Sequence, residues 1–188
     1  MADFPVMTRR AALAGMAAAA AAPAFAVGQS AAPAIADVQA RFPEAAPGLE
    51  QVMQLLVEVG DPIDLGRGPD GARRMVPILG GRFEGRGLSG AVLPGGADRQ
   101  RVRADGIRQL EATYELKADD GTILAIRNQV LVDDSVAKAG GGRYARSVVT
   151  VTAPDGPHAW LNRSIIVGTS TSLRPARPFV FVRLYRVL

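Results

Sequence analysis

His158 is the one side chain in this sequence whose ordinary proton affinity lies near neutral pH, and it closes the turn-forming run Asp155-Gly156-Pro157. It reads either as a general base or as a turn histidine. With one histidine and no cysteine, the chain lacks the residues for thiolate nucleophiles, disulfides, iron–sulfur clusters and the usual zinc sites. Oxygen-only cation binding is left, and Asp133-Asp134 would supply it or would simply solvate a loop. No metal or cofactor is expected. Two stretches match the dinucleotide pattern G-x-G-x-x-G, from Gly66 to Gly71 and from Gly85 to Gly90. Pro77 and Pro94 interrupt the chain before a helix could follow to hold a pyrophosphate, so both read as turn glycines. G-x-x-x-x-G-K-[ST], G-x-S-x-G and H-E-x-x-H do not occur, which removes the commonest nucleotide-binding, serine-hydrolase and metalloprotease signatures.

Polar residues that alternate with apolar ones say more, because an inward polar group costs about 1–3 kcal/mol unless a partner or a ligand meets it. The run Ala118-Asp119-Asp120-Gly121-Thr122 predicts a three-residue hairpin loop. Pairing Ala118 with Thr122 gathers Leu110, Ala112, Tyr114 and Leu116 on one face with Leu124, Ile126, Asn128 and Val130. Glu111, Thr113, Glu115, Lys117, Arg127 and Gln129 then fall on the other. A shift of one residue would put Arg127 among the apolar side chains. Tyr114 and Asn128 are therefore expected to point inward. The same parity groups Trp160, Asn162, Ser164 and Ile166, and puts Arg183 on the face of Phe179, Phe181 and Tyr185. Such groups form either a hydrogen-bonded core network or a ligand site.

The elements that must position them are short apolar runs bounded by Gly, Pro or Asp: 51–59, 73–79, 88–93, 100–103, 107–117, 122–132, 144–152, 164–172 and 179–188. Regular short strands predict an all-β sandwich or barrel. Residues 27–48 are Ala- and Pro-rich and read as a tether, with Ile35, Val38 and Phe42 on one helical face. Residues 1–26 read as a signal peptide: Arg9-Arg10, an apolar stretch to Ala22, and an A-x-A site at Ala24-Phe25-Ala26. The apolar stretch is too short for a permanent membrane anchor. The paired arginines favour the twin-arginine export machinery over the general secretory route, so the protein folds, and assembles if it is a homo-oligomer, before export. The mature chain is then periplasmic or secreted. Of the 188 residues, 22 are Lys or Arg and 18 Asp or Glu, interspersed, so the net charge of +4 does not point to nucleic acid.

Several stretches carry a family resemblance: Gly80-Gly81-Arg82-Phe83-Glu84-Gly85, Gly90-Ala91-Val92-Leu93-Pro94-Gly95-Gly96-Ala97-Asp98, Asp105-Gly106, Tyr114, Asp120-Gly121 and Trp160-Leu161-Asn162-Arg163. From about Gln51 to the C-terminus the chain resembles the domain-of-unknown-function 3237 family, small bacterial and fungal proteins. The resemblance implies a single antiparallel β-barrel of about eight to ten strands over residues 49–188, with its interior or mouth as the site. It also implies Asp98, Tyr114, Asn128, Trp160 and Asn162 as ligand-binding positions. Arg99 stands where the family often has Trp, and Gln129 where small residues are common.

The combined expectation is a barrel binding a small, partly apolar, oxygenated or anionic molecule at Asp98, Tyr114, Asn128, Trp160, Asn162 and Arg183. Proton-transfer catalysis would use Asp98 as base and Tyr114 as acid or oxyanion donor. The competing expectation is a non-catalytic binding or assembly module with a structural polar core. A pocket of about 300 Å³ or more with converging polar groups distinguishes the first from the second.

Overall fold

The computed structural model describes residues 32–138 and 142–188. The expected signal peptide, 1–26, and the start of the tether lie outside the described residues. The chain divides into two units, Met1–Glu44 and Ala45–Leu188. The first contains helix α1 (Ile35–Arg41), where apolar residues recur at helical spacing; the N–H of Phe42 donates to the Val38 carbonyl and ends it.

The second unit is almost entirely sheet. Its strands are β1 (Leu49–Val59), β2 (Ile63–Gly68), β3 (Gly71–Gly85), β4 (Leu88–Val92), β5 (Ala97–Val102), β6 (Arg108–Ala118), β7 (Ile123–Asp133), β8 (Tyr144–Thr152), β9 (Ile166–Ser172) and β10 (Phe179–Val187). A four-residue helix, α2 (Ser135–Lys138), follows β7, and a 3₁₀ turn, Ala159–Arg163, lies between β8 and β9. All pairings are antiparallel. The ladder runs β6-β7-β8-β9-β10-β1-β3, and β4 and β5 both join β3 to β6, which closes an eight-position barrel. β5 fills its shared position beside Ala72–Pro77 of β3, and β4 beside Gly81–Gly85. Closure leaves the ring itself without an edge, and among the described residues β2, paired with β3 alone, carries an open one.

All nine expected runs are strands. The tenth, β2, pairs with the first half of β3 and has almost no buried residue, so it carries no alternation to read. β3 runs past Leu79 through Gly80-Gly81 because β1 and β4 hydrogen-bond it on both sides. The two G-x-G-x-x-G stretches are the β2–β3 and β3–β4 hairpin turns. The β6–β7 hairpin has the expected register, with Leu116 opposite Leu124 and Ala112 opposite Asn128. The Ala118 N–H donates to Thr122 O at 2.8 Å, and Gly121 takes the left-handed conformation at φ 88°.

The barrel is filled at one end. Met53, Leu55, Leu116, Leu124, Ile166 and Leu184 pack there without solvent exposure, and Leu161 of the 3₁₀ turn joins the same cluster. Each such side chain contributes about 1.5–3 kcal/mol by leaving water. Toward the other end, where β6 begins and β7 finishes, the interior opens into a cup.

Candidate functional site

The cup exists because the inward-facing series on each strand changes character along its length. On β6 the series runs Leu116, Tyr114, Ala112, Leu110, Arg108, from fully buried leucine to a rim arginine. β3 gives Ile78, Val76 and Arg74; β7 gives Asn128, Val130, Val132 and then Asp134; Ala145 of β8 is preceded at the same parity by Arg143. The walls are aliphatic and the rim is charged. The cavity is about 380 Å³, within the range for small-molecule sites.

Its floor is a polar rung. Asp98 on β5 lies opposite Ala112 on β6, which lies opposite Asn128 on β7. The small Ala112 leaves a notch between the two polar side chains, and Tyr114 comes one inward step deeper. Gly96 makes this possible: a Cβ there would stand 2.5 Å from Tyr114 Cβ and 2.6 Å from Thr113 O. The Gly95-Gly96 connection can thus press against β6, and its bonds to Ile78 of β3 (Ile78 N–H to Gly96 O, 2.9 Å) fix where Asp98 enters the barrel.

The hydrogen bonds impose a polarity. Arg74 donates from Nε to Gln100 Oε1 at 2.7 Å, so the Gln100 amide turns its nitrogen to Asp98 and donates to Oδ2 at 2.5 Å. Asp98 Oδ2 is thereby committed as an acceptor. Asp98 Oδ1, Tyr114 Oη and Asn128 Oδ1 are buried and have no hydrogen-bond partner among the described residues. Burial raises the Asp98 pKa above the usual carboxylate value; the Gln100 bond and the charges of Arg74 and Arg108 oppose the rise without cancelling it. A proton taken up by this carboxyl must sit on Oδ1, the free oxygen. Burial, and then the negative charge of Asp98, push the Tyr114 hydroxyl well above its ordinary value, so it stays a protonated donor.

At the rim, Asp134 accepts from Arg108 Nη2 at 2.7 Å through Oδ2 and from Arg143 Nε at 3.1 Å through Oδ1. Arg174 pairs with Asp61 at 3.2 Å and donates to the carbonyls of Val59 and Gly60. Asp133 instead accepts from the N–H and hydroxyl of Ser135. Among the described residues no cluster has the composition of a metal site.

Asp98, Tyr114 and Asn128 meet in the cup; Trp160, Asn162 and Arg183 do not. Residues 159–163 form a 3₁₀ turn rather than a strand, so the period-2 parity expected for Trp160 and Asn162 does not apply. Trp160 packs against the filled end, with the Arg186 guanidinium 5.9 Å from its ring centroid. Asn162 locks the loop by accepting from Ala153 N–H and donating to Ala153 O, both at 2.8 Å. Arg183 lies on the outer face, 4.5 Å over Phe181, while Val180, Val182 and Leu184 face inward. β10 is apolar on both faces, and the smaller aliphatic residues fill the interior where a charge would be desolvated. His158 is a buried turn residue, its Nε2 2.9 Å from Asp120 Oδ2, outside the cup. Gln100, Arg74, Arg108 and Arg143 were not foreseen, and Asp134, expected to bind a cation or solvate a loop, pairs with two arginines. Each continues an inward parity already visible in the sequence, so extending the alternation past the apolar residues would have found them.

The family model described as "Protein of unknown function (DUF3237)" matches residues 47–187. A UPF0311 protein of Clostridium acetobutylicum is 30% identical over 135 residues, 66% of this chain and 85% of that protein. Two further UPF0311 proteins, from Rhodopseudomonas palustris, are 42% identical over 77 residues, a match spanning 41% of this chain and about half the length of those relatives. The crystal structure of a conserved protein of unknown function from Rhodopseudomonas palustris gives a TM-score of 0.70 at 28% identity, covering 77% of this chain and 100% of that one. A β-barrel-like protein from Acinetobacter baumannii gives 0.68 at 24% identity, covering 78% and 99%, a likeness of fold.

Proposed function

The chain belongs to the DUF3237 family, and we propose that this member binds a small, partly apolar molecule carrying a carbonyl-type oxygen in the cup of its barrel and moves a proton on it. The observation that carries this reading is the floor, where three side chains that line one cavity, Asp98, Tyr114 and Asn128, each hold a buried polar atom without a partner. A purely structural network satisfies its members, because each unpaired buried group costs about 1–3 kcal/mol. A bound ligand would satisfy them.

The chemistry follows from the two shifted groups. Asp98, when ionised, is a stronger base than an ordinary carboxylate, and its free Oδ1 removes a proton from a carbon beside the ligand carbonyl. The C–H electron pair moves into the new C=C bond, and the carbonyl oxygen becomes an enolate oxygen. That oxygen accepts a hydrogen bond from the Tyr114 hydroxyl. Asp98 then returns its proton, to the same carbon or to a conjugated one, and the second outcome is an isomerisation. Gln100, held by Arg74 Nε, does not touch the reacting carbon; it orients the carboxylate. The apolar walls exclude water from the enolate. Delivery to the periplasm or beyond, by the twin-arginine route with cleavage after Ala26, belongs to the same proposal and rests on Arg9-Arg10 and Ala24-Phe25-Ala26.

The test begins with mass spectrometry of small molecules released from protein purified out of its own periplasm. The molecule found is returned to the apo-protein in D₂O and followed by proton NMR. The expected result is protein-dependent loss of one C–H signal that Asp98→Asn abolishes and Tyr114→Phe slows at least about tenfold. Binding without exchange would leave a non-catalytic binding module; a ligand held equally well by the Tyr114→Phe protein would remove the cup from the account altogether.

A further inference from the structure

On the reading that the cup binds a small molecule, we infer that Arg74, Arg108 and Arg143 form a carboxylate site at its rim. The ligand is then an organic acid, with its anionic end at the mouth and its aliphatic body below. The argument is one of charge and geometry. Asp134 is saturated, one oxygen to Arg108 and the other to Arg143, and holds the two guanidiniums side by side. Two positive charges share one negative charge there. Arg74 lines the same opening and makes no ion pair among the described residues; its Nε is engaged by the neutral Gln100 amide. Three guanidiniums thus face one rim carboxylate. The crowding registers on Arg143, whose proton affinity is lowered by burial first, and then by Arg108 and Arg74, against the pull of Asp134.

A structural arginine at this end of the barrel looks different. Arg174, on the same lining, is held by two backbone carbonyls and Asp61, with its Nε alone left without a partner. Arg74, Arg108 and Arg143 line the opening with one bonded nitrogen each, and a guanidinium fork suits a planar carboxylate in two-point contact. Tyr114 is the sole aromatic residue on the cavity lining, so the body is gripped by aliphatic contact and not by stacking. On β6, Arg108 lies four residues above the Asp98–Ala112–Asn128 rung, about 13 Å along the strand at ~3.3 Å per residue. Arginines reaching down from the rim leave a medium-length chain between the carboxylate and the reacting group.

The mature protein is titrated calorimetrically at low and high salt with hexanoate, octanoate and decanoate, with methyl octanoate, and with octyl phosphate. Octanoate is expected to bind at least about tenfold tighter than its methyl ester at low salt, with the margin narrowing as salt rises. Arg143→Gln and, separately, Arg108→Gln leave Asp134 with one partner each. Both are expected to remove most of that margin while ester affinity stays unchanged. Equal affinity for acid and ester would overturn the carboxylate site and leave the cup reading intact. Octyl phosphate binding more tightly than octanoate, or rim variants that bind octanoate normally, would also overturn it. If neither acid nor ester binds, the cup reading fails with it. The salt dependence of the unmodified protein decides the matter even if a rim variant misfolds.

Discussion

Replacing Asp98 by Asn should make the protein more stable at neutral pH while removing its chemistry. Asparagine has nearly the same shape, and its amide oxygen can accept the Gln100 bond that Oδ2 now accepts at 2.5 Å. What disappears is a negative charge whose other oxygen is buried without a partner. Sparing the chain that burial is worth about 1–3 kcal/mol, reduced by whatever Arg74 and Arg108 now contribute to holding the charge. For a barrel of this size, each kcal/mol moves the melting temperature by about 2–4 °C. The size of the effect depends on pH. Folded Asp98 keeps its proton to a higher pH than the unfolded chain, whose carboxyl titrates near 3.8. Between that value and the raised one the native state therefore binds more protons, and wild-type stability falls as pH rises through the window. The asparagine variant has no such group, so its advantage should be small below pH 3.8 and reach its full size above the raised value. Chemical denaturation of both proteins across pH 3 to 8 measures this directly. An asparagine variant less stable than wild type at pH 7, or an advantage that does not change with pH, would refute the reasoning about the floor.

Asn162→Ala should cost about 1–3 kcal/mol through the loss of both 2.8 Å bonds to Ala153, with octanoate affinity unchanged; a binding defect without destabilisation would return Asn162 to the site. Replacing Arg9 and Arg10 together by lysine should stop processing of the precursor in cell fractionation, with the mature N-terminus otherwise at Val27; normal periplasmic maturation would exclude the twin-arginine route.

The sequence by itself determined the strand pattern, the register of the β6–β7 hairpin and the inward direction of Tyr114 and Asn128. Those properties are local: a tight turn fixes a pairing, and the period of two then assigns every side chain to a face. The same reasoning failed at Trp160 and Asn162, where a 3₁₀ turn replaces the strand on which parity depends. It failed again at Arg183, because β10 is apolar on both faces and the choice of inner face rests on which residues fit the closed interior. Asp98 was implied by the family resemblance, but its raised proton affinity comes from burial inside the closed barrel, and its unpartnered oxygen from Gln100 of its own strand, turned by Arg74 of β3, taking the other one. The rim arginines, from β3, β6 and the segment before β8, lie far apart in the chain. Only barrel closure brings their charges to one mouth, since the field at a site depends on distances through space that no local pattern encodes.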